Sequence, residues 1–262
     1  MPALAKDDGN AAARTTENHC THPDMQLSLA SYNIHGCIGR DRCYDRARIL
    51  DVLRELQADV IALQEVETIR GGLDLLSYLA EGTGTTALAG PTLAMKEGHF
   101  GNALLTRFPV THVERVDLTY HGREPRGALG ADLDCGGGIK LRAVATHLGL
   151  WPRERRFQVR RLLKLFRTPR DWPAVLMGDL NEWLLWGRPL RWLHAYFDRS
   201  AALPTFPARL PVFALDRILV HPHGGLANVA VHDSRAARAA SDHLPLKAQL
   251  RFTPAGLVST GR

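Results

Sequence analysis

The sequence predicts a mixed-sheet α/β protein in which two β-sheets pack face to face and helices flank them. Short apolar runs and amphipathic segments are interspersed along most of the 262 residues, without a strict strand–helix–strand repeat. Such a mixture buries both faces of each sheet when two sheets stack and helices cover the outside. Because no stretch in the middle resembles a linker, we expect one domain over residues 26–253, between tails at 1–25 and 254–262.

The first third of the chain alternates between strands and helices. Residues 27–32 and 60–63 are short apolar runs that each end at polar residues, which is typical of buried strands. Residues 45–56 carry apolar side chains at helical spacing and predict a helix. Residues 73–80 predict a second helix, which Gly82 then ends.

The rest of the chain is richer in strands. Short apolar or alternating runs separated by Gly, Pro or charged turns predict strands at 103–106, 110–118, 128–133, 139–145, 174–177, 215–220, 226–231 and 245–252. A long basic segment at 152–166 begins with proline and predicts a helix. A short helix is expected near Leu190.

The composition favours an anionic partner. The 33 basic and 27 acidic residues give a net charge of +6, which suits nucleic acid, phospholipid surfaces or phosphorylated small molecules. No run of about 18 apolar residues predicts a membrane span, and no signal-peptide core precedes the domain. The four cysteines lack zinc-site spacing, which indicates free thiols in a reducing compartment. We therefore expect a cytoplasmic, monomeric protein whose contact with a membrane, if any, is peripheral.

Polar residues recur where predicted strands meet loops. They are Asn33, Glu65, His147, Asp179, Asn181, Asp216, Asp242 and His243. Any one of them is most simply explained as a turn former or a helix cap. Catalytic groups, however, sit where a rigid scaffold gives way to loops, so the repeated pattern predicts a site at one edge of the sandwich.

The residue types at these positions suit metal-assisted cleavage of a phosphate ester. Glu65, Asp242 and the amide oxygen of Asn33 can provide the sparse oxygen ligands that Mg²⁺ takes, with water and substrate phosphate completing the shell. His243 is the candidate base that activates water, and Asp216 is the carboxylate that fixes its tautomer.

The remaining candidates suit the phosphate and the leaving group. Asp179 can position the water or protonate the leaving oxygen. Asn181 and His147 can donate hydrogen bonds to the phosphate.

The motifs around these residues resemble those of the endonuclease/exonuclease/phosphatase superfamily, in the same order. They are Tyr32-Asn33-Ile34-His35-Gly36, Leu63-Gln64-Glu65-Val66, Thr146-His147-Leu148, Gly178-Asp179-Leu180-Asn181, Leu215-Asp216-Arg217-Ile218 and Ser241-Asp242-His243. The resemblance covers residues 27–252, with the short bacterial branch as the nearest match. It implies a four-layer αββα sandwich and a hydrolase dependent on Mg²⁺ or Mn²⁺.

The resemblance also implies roles for individual residues. It assigns Asn33, Glu65 and Asp242 to the metal, and it pairs Asp216 with His243. The Thr-His motif at His147 is like that of the deoxyribonuclease and sphingomyelinase branches.

Further substrate contacts follow from the same resemblance. Arg123 lies in a segment similar to a deoxyribonuclease segment that carries a phosphate-binding arginine, and Arg126 is an equally placed alternative. Asn102 stands where family members often carry a substrate-contacting asparagine.

Two features bear on which phosphate ester is cleaved. Trp183 and Trp186 follow the Gly-Asp-Leu-Asn motif and can stack on bases, enter a membrane interface or pack a loop onto the sandwich. The basic helix can track a polyanion or form a solvated face. Its charged residues are Arg153, Arg155, Arg156, Arg160, Arg161, Lys164 and Arg167. We expect a metal-dependent phosphodiesterase that acts on nucleic acid. The alternative substrates are a phospholipid head group and a small phosphate. A non-enzymatic binding module is disfavoured because the motif set is complete.

Overall fold

Two β-sheets stack face to face, and helices cover the outer side of each sheet, in the computed structural model of the protein. The structure describes residues 25–166, 171–253 and 256–257. One apolar cluster fills the space between the sheets. A second lies between the first sheet and its helices, and a third lies between the second sheet and its helices. The predicted four-layer αββα sandwich is confirmed.

The elements follow one another in close agreement with the sequence pattern. The strands are β1 (Met25–Asn33), β2 (Val60–Glu67), β3 (Ile69–Arg70), β4 (Leu73–Asp74), β5 (Thr86–Ala94), β6 (His99–Thr106), β7 (Val110–Asp117), β8 (Gly127–Gly136), β9 (Ile139–His147), β10 (Ala174–Asp179), β11 (Asp216–His221), β12 (Leu226–Val231), β13 (Leu246–Thr253) and β14 (Gly256–Leu257). The helices are α1 (Arg46–Leu56), α2 (Leu75–Thr83), α3 (Pro152–Leu162), α4 (Arg188–His194) and α5 (Arg235–Ala240), with 3₁₀ turns at His35–Cys37 and Leu163–Phe166.

Each large sheet contains one parallel pair of strands. The first sheet has the order β12-β13-β1-β2-β6-β5, with β14 on β13, and the second has the order β11-β10-β9-β8-β7. β1 and β2 are parallel and joined through α1, whereas β9 and β10 are parallel and joined through α3. A parallel pair needs such a crossover, and here both crossover helices belong to the outer layers.

Strand alternation places polar side chains at one end of the core between the sheets. In β10, Val175 and Met177 belong to this core, and Asp179 is the next residue of the same parity. In β1, Leu29 belongs to it and Asn33 continues the row. The same rule applies to Asn102 in β6, His147 in β9 and Asp216 in β11. Because side chains alternate with a period of two, each apolar row ends in a polar residue at the edge of the sandwich.

Local chemistry explains where the first two helices begin. The Asp45 side chain accepts hydrogen bonds from the first backbone amides of α1, and Gln57 in left-handed conformation ends that helix. Asp74 caps α2 in the same way, accepting from Ser77 N at 3.1 Å. The predicted helix at 73–80 was therefore wrong at its start, because Leu73 and Asp74 form β4 and the cap.

Besides the two-residue strands β3, β4 and β14, the pattern analysis missed β5 and α5. β5 contains Gly90 and Pro91, which interrupt the apolar pattern, but β5 is an edge strand of its sheet, where proline is tolerated. α5 is six residues of Ala and Arg, and Ser234 caps it by accepting a hydrogen bond from Ala237 N. Its only apolar residues are alanines, so the sequence pattern alone does not predict this helix.

None of the helices in the described part of the chain has the length and apolar character needed to cross a membrane. Residues 1–24 of the predicted tail at 1–25 and most of the predicted tail at 254–262 lie outside the described residues, as does Arg167 of the predicted basic helix. Met25 begins β1, and residues 256–257 pair with β13. The division into one domain and two tails remains a prediction.

Candidate active site

Asp179 lies at the centre of the polar row. It is paired in register with His147 on one side and with Asp216 on the other. Gly178 allows this close approach, because a Cβ at that position would lie 1.9 Å from the carbonyl oxygen of Thr146, and its φ is +152°. Only glycine fits at this position, and its lack of a side chain allows β9 and β10 to pair this closely.

His243 and Asp216 form a buried hydrogen-bonded pair. His243 Nδ1 lies 2.9 Å from Asp216 Oδ2, and the Thr205 hydroxyl donates to the same oxygen at 2.5 Å. The His243 Nε2 atom faces Asp179 Oδ2 at 3.7 Å. With Nδ1 committed to the carboxylate, Nε2 is the nitrogen that faces Asp179 and the cleft.

The pKa values of both His243 and Asp179 are raised, for different reasons. Burial opposes protonation of His243, but the negative charge of Asp216 and its hydrogen bond outweigh burial and raise the His243 pKa to about 10. Burial, together with the charge of Asp216, raises the pKa of Asp179 to about 6. Asp179 therefore takes up a proton at a higher pH than an ordinary aspartate does.

The two carboxylates assigned to the metal face a common point. His35 Nδ1 lies 3.4 Å from Glu65 Oε2 and 3.6 Å from Asp242 Oδ1. Burial opposes ionisation of Glu65, but hydrogen bonding to His35 and Asn33 helps to lower its pKa to about 2. Two partly exposed carboxylates are a donor set that suits Mg²⁺ or Mn²⁺. The predicted site therefore fits such an ion.

A bulge in β2 turns Glu65 toward this point. The pairing of β2 with β6 shifts between Leu63 and Val66, and Glu65 has a φ of +57°. A non-glycine residue in left-handed conformation is strained and is found preferentially at functional sites. The bulge and this backbone conformation together turn the Glu65 side chain out of the regular alternation of β2.

Asn33 connects the two sheets at the site. Its Nδ2 donates to Glu65 Oε1 at 2.9 Å and to Asp179 Oδ2 at 3.2 Å, while its Oδ1 accepts from the His35 backbone amide at 3.1 Å. In this arrangement the amide nitrogen, rather than the oxygen, faces the carboxylates. Its role as a metal ligand remains a prediction.

His147 is held neutral between Arg126 and Asn181. Arg126 Nη1 lies 2.9 Å from His147 Nδ1, and a guanidinium has no acceptor, so Nδ1 accepts and Nε2 carries the ring proton. Burial, reinforced by the Arg126 charge, lowers the His147 pKa to about 3. The Nε2 atom lies 3.0 Å from the Asn181 amide and 3.5 Å from Asp179 Oδ2.

The structure separates the two candidate arginines and sets Asn102 aside from the main cleft. Arg126 is buried and lines the cleft, whereas Arg123 is exposed and lies over the Trp151 ring at 4.7 Å. Asn102 donates to the Gly127 carbonyl at 3.0 Å, in a small cavity behind Arg126. Of the two arginines, Arg126 is therefore the one that lies in the cleft, and its role in binding phosphate remains a prediction.

The sequence analysis missed three contributors to the site. His35 stood within a quoted motif, two residues after Asn33, but it was not assigned a role. Thr205 had no signal, because it reaches Asp216 from a loop before β11. Arg155 was counted among the solvent-facing basic residues of α3, yet it is buried and pairs with Glu182.

The polar residues open into a cleft of about 520 Å³ with an apolar wall. Leu150, Trp183, Phe206, Phe213 and Leu215 line it together with the polar side chains. Trp183 and Trp186 are exposed, so the interpretation that both simply pack a loop onto the sandwich was wrong.

Arg155→Met should strongly destabilise the protein. Arg155 Nε and Nη2 bind the two Glu182 carboxylate oxygens at 3.1 and 3.3 Å, and Nη1 donates to the backbone carbonyls of Gly149 and Leu150. Removing one partner of a buried ion pair costs about 3–5 kcal/mol. Urea unfolding should show a loss of free energy of unfolding in that range.

The matched control for this variant is Arg54→Met. Arg54 is an exposed arginine near Asp51, at 3.8 Å, and surface pairs contribute about 0–1 kcal/mol. Equal losses of unfolding free energy in the two variants would contradict the structural role assigned to Arg155.

Comparisons with known proteins agree with this geometry. Residues 30–243 match the model of the Endonuclease/Exonuclease/phosphatase family. The uncharacterized protein YbhP of Escherichia coli (strain K12) is 31% identical over 247 residues, covering 87% of this chain and 97% of YbhP.

Solved structures share the fold. An endonuclease/exonuclease/phosphatase from Beutenbergia cavernae aligns with a TM-score of 0.71 at 23% identity, covering 88% of this chain and 72% of that one. The mannosyl-6-phosphatase Bt3783 of Bacteroides thetaiotaomicron aligns with a TM-score of 0.67 at 19% identity, covering 85% and 98%. The chain belongs to the Endonuclease/Exonuclease/phosphatase family, whose members are phosphoesterase hydrolases.

Proposed function

We propose that the protein is a divalent-metal-dependent phosphodiesterase. The observation that carries the proposal is the convergence of the Asp216–His243 pair, Asp179 and the Glu65–Asp242 carboxylates at one end of the sandwich. A base with its orienting carboxylate, a group with a raised pKa and a hard-cation donor set are the parts that phosphoryl ester hydrolysis requires.

Each residue then has a defined task. A cation held by Glu65 and Asp242 would polarise the phosphoryl oxygen and offset the charge that develops on it. His243 Nε2 accepts a proton from water in its neutral form, while Asp216 holds the opposite nitrogen in place. A cation bound to Asp242 would favour that neutral form, because it would offset one of the negative charges that raise the His243 pKa. Asp179, with its raised pKa, donates a proton to the leaving oxygen.

The phosphate is bound on the opposite side of the cleft. Arg126 donates through its guanidinium, and neutral His147 presents its Nε2 proton next to the Asn181 amide. Fixed donors of this kind stabilise developing negative charge without reorganising during the reaction.

The wall of the cleft favours an amphiphilic ester. Leu150, Phe213 and Leu215 can cover an alkyl chain, but they have no polar atoms with which to read base edges or hold a phosphate backbone. We therefore place a phospholipid-type phosphodiester ahead of nucleic acid, in reverse of the order expected from the sequence.

The proposal is tested with bis(p-nitrophenyl) phosphate and its monoester. We expect hydrolysis of the diester after addition of Mg²⁺ or Mn²⁺, none in EDTA, and slower hydrolysis of the monoester. Plasmid DNA, RNA and phospholipid vesicles offered in parallel should show turnover of the lipid. Folded protein that hydrolyses no phosphate ester with either metal would refute the enzymatic function.

A further inference from the structure

Exposed apolar side chains surround the mouth of the cleft. The loop after β9 presents Leu150, 67% exposed, and Trp151. The loop after β10 presents Trp183, Leu185 and Trp186, the last 74% exposed. Large exposed apolar side chains gathered on neighbouring loops mark an interaction site.

A third loop, before β11, completes this surface. It presents Leu210, 71% exposed, with Val212 and Phe213, and a bridge between Phe206 and Phe213 closes its base. β9, β10 and β11 are neighbours in one sheet, and all three loops leave it at the end where His147, Asp179 and Asp216 lie side by side. We call the exposed apolar side chains of segments 150–151, 183–186 and 210–213 the apolar rim.

The charge of the three loops has one sign. Segments 150–153, 183–188 and 207–213 contain Arg153, Arg188 and Arg209 and no Asp or Glu. All three arginines are exposed. These loops therefore combine exposed apolar side chains with positive charge only. Such a surface is complementary to an apolar layer whose border is negatively charged.

The rim is built on rigid supports. Arg155 binds the carbonyls of Gly149 and Leu150 in one loop and the Glu182 carboxylate at the start of the next. Glu182 in turn accepts from the Leu184 backbone amide at 3.2 Å. The two tryptophan-bearing loops are therefore fixed to each other beneath the surface, which lowers the ordering entropy lost on binding.

We propose that the apolar rim docks on the surface of an anionic phospholipid bilayer. Trp and Leu side chains partition into the headgroup boundary, and arginines beside them pair with lipid phosphates. A nucleic acid would instead require a basic surface along its backbone, which Leu185, Leu210 and Val212 do not offer. The inference rests on the proposed function in that the docked bilayer presents its phosphodiester to the cleft.

The test measures binding apart from catalysis. The full chain in EDTA is sedimented with vesicles of phosphatidylcholine alone or mixed with phosphatidylglycerol. We expect binding to the anionic vesicles, with weaker binding to phosphatidylcholine. Trp186→Ala and Arg209→Glu should each weaken binding to anionic vesicles by about tenfold or more, while hydrolysis of soluble bis(p-nitrophenyl) phosphate stays at the wild-type rate.

Matched controls lie at the opposite end of the same sheet. Trp172 precedes β10, and Lys140 is at the start of β9 against the Trp172 ring. Trp172→Ala and Lys140→Glu should leave vesicle binding unchanged. Absence of vesicle binding by the wild type, or equal losses in rim and control variants, would overturn the proposal. The proposal would also be overturned if the rim variants lost DNA binding or self-association but still bound vesicles. None of these outcomes depends on turnover, so failure of docking is distinguishable from failure of the catalytic proposal.

Discussion

His243→Ala should lower kcat for metal-dependent diester hydrolysis by about 10²–10⁴-fold, the range contributed by general acid–base catalysis. The substitution removes the nitrogen that faces Asp179 at 3.7 Å and leaves Asp216 without its 2.9 Å partner. KM should change little, because the proposed phosphate donors Arg126 and His147 remain in place. Steady-state kinetics with bis(p-nitrophenyl) phosphate measures both constants.

The pair can be examined further by a double-mutant cycle. Asp216→Asn should also lower kcat, and the double variant should be little worse than His243→Ala, since residues that act as a unit are not additive. The control is His112→Ala, at an exposed histidine of β7. Wild-type kcat in folded His243→Ala protein, or fully additive losses in the cycle, would contradict the assignment of this pair.

Glu65→Gln should abolish metal-dependent activity and weaken Mn²⁺ binding. The substitution keeps the shape of the side chain but removes a carboxylate that is ionised at neutral pH, with a pKa of about 2. Mutation of a residue that only hydrogen-bonds to a metal ligand lowers metal affinity by about 10–100-fold. Loss of the charge of a ligand itself should therefore lower Mn²⁺ affinity by at least about 100-fold. Isothermal titration calorimetry with Mn²⁺ measures this directly, without substrate.

Glu67→Gln is the matched control for that experiment. Glu67 lies two residues further along β2 and pairs with Arg70 at 3.4 Å, and it is not among the residues that line the cleft. It should bind Mn²⁺ with wild-type affinity. Unchanged Mn²⁺ affinity in Glu65→Gln would place the metal elsewhere, and the buried Asp179–Asp216–His243 group, whose ligand atoms lie within 4.8 Å of one another, would be the next site to test.

Much of the candidate site could be predicted because it lies on regular strands. Asp179 follows the buried run that ends at Met177, and Asp216 begins β11. Alternation fixes which face each side chain takes, and the sandwich requires the apolar face to point inward. Residue order along the chain was therefore enough to expect a common edge.

The features that escaped prediction depend on contacts between distant segments. Glu65 reaches the site through a bulge set by the pairing of β2 with β6, and Thr205 reaches Asp216 from a loop whose course follows no periodic pattern. Arg155 looked like one more solvated arginine of a basic helix. Only the tertiary structure shows that it turns inward to Glu182, because the choice between solvent and an ion pair is made by what packs opposite.

The sequence by itself determined the fold class, the order of the catalytic motifs and the polar ends of the core strands, since these follow from local periodicity. It did not decide which aromatic side chains face water. Trp186 is exposed and Trp192 half-buried, although both follow the same motif, because exposure depends on whether neighbouring elements cover a side chain. The tertiary structure decided that the site opens into an apolar-walled cleft, and this is the feature that bears on the substrate.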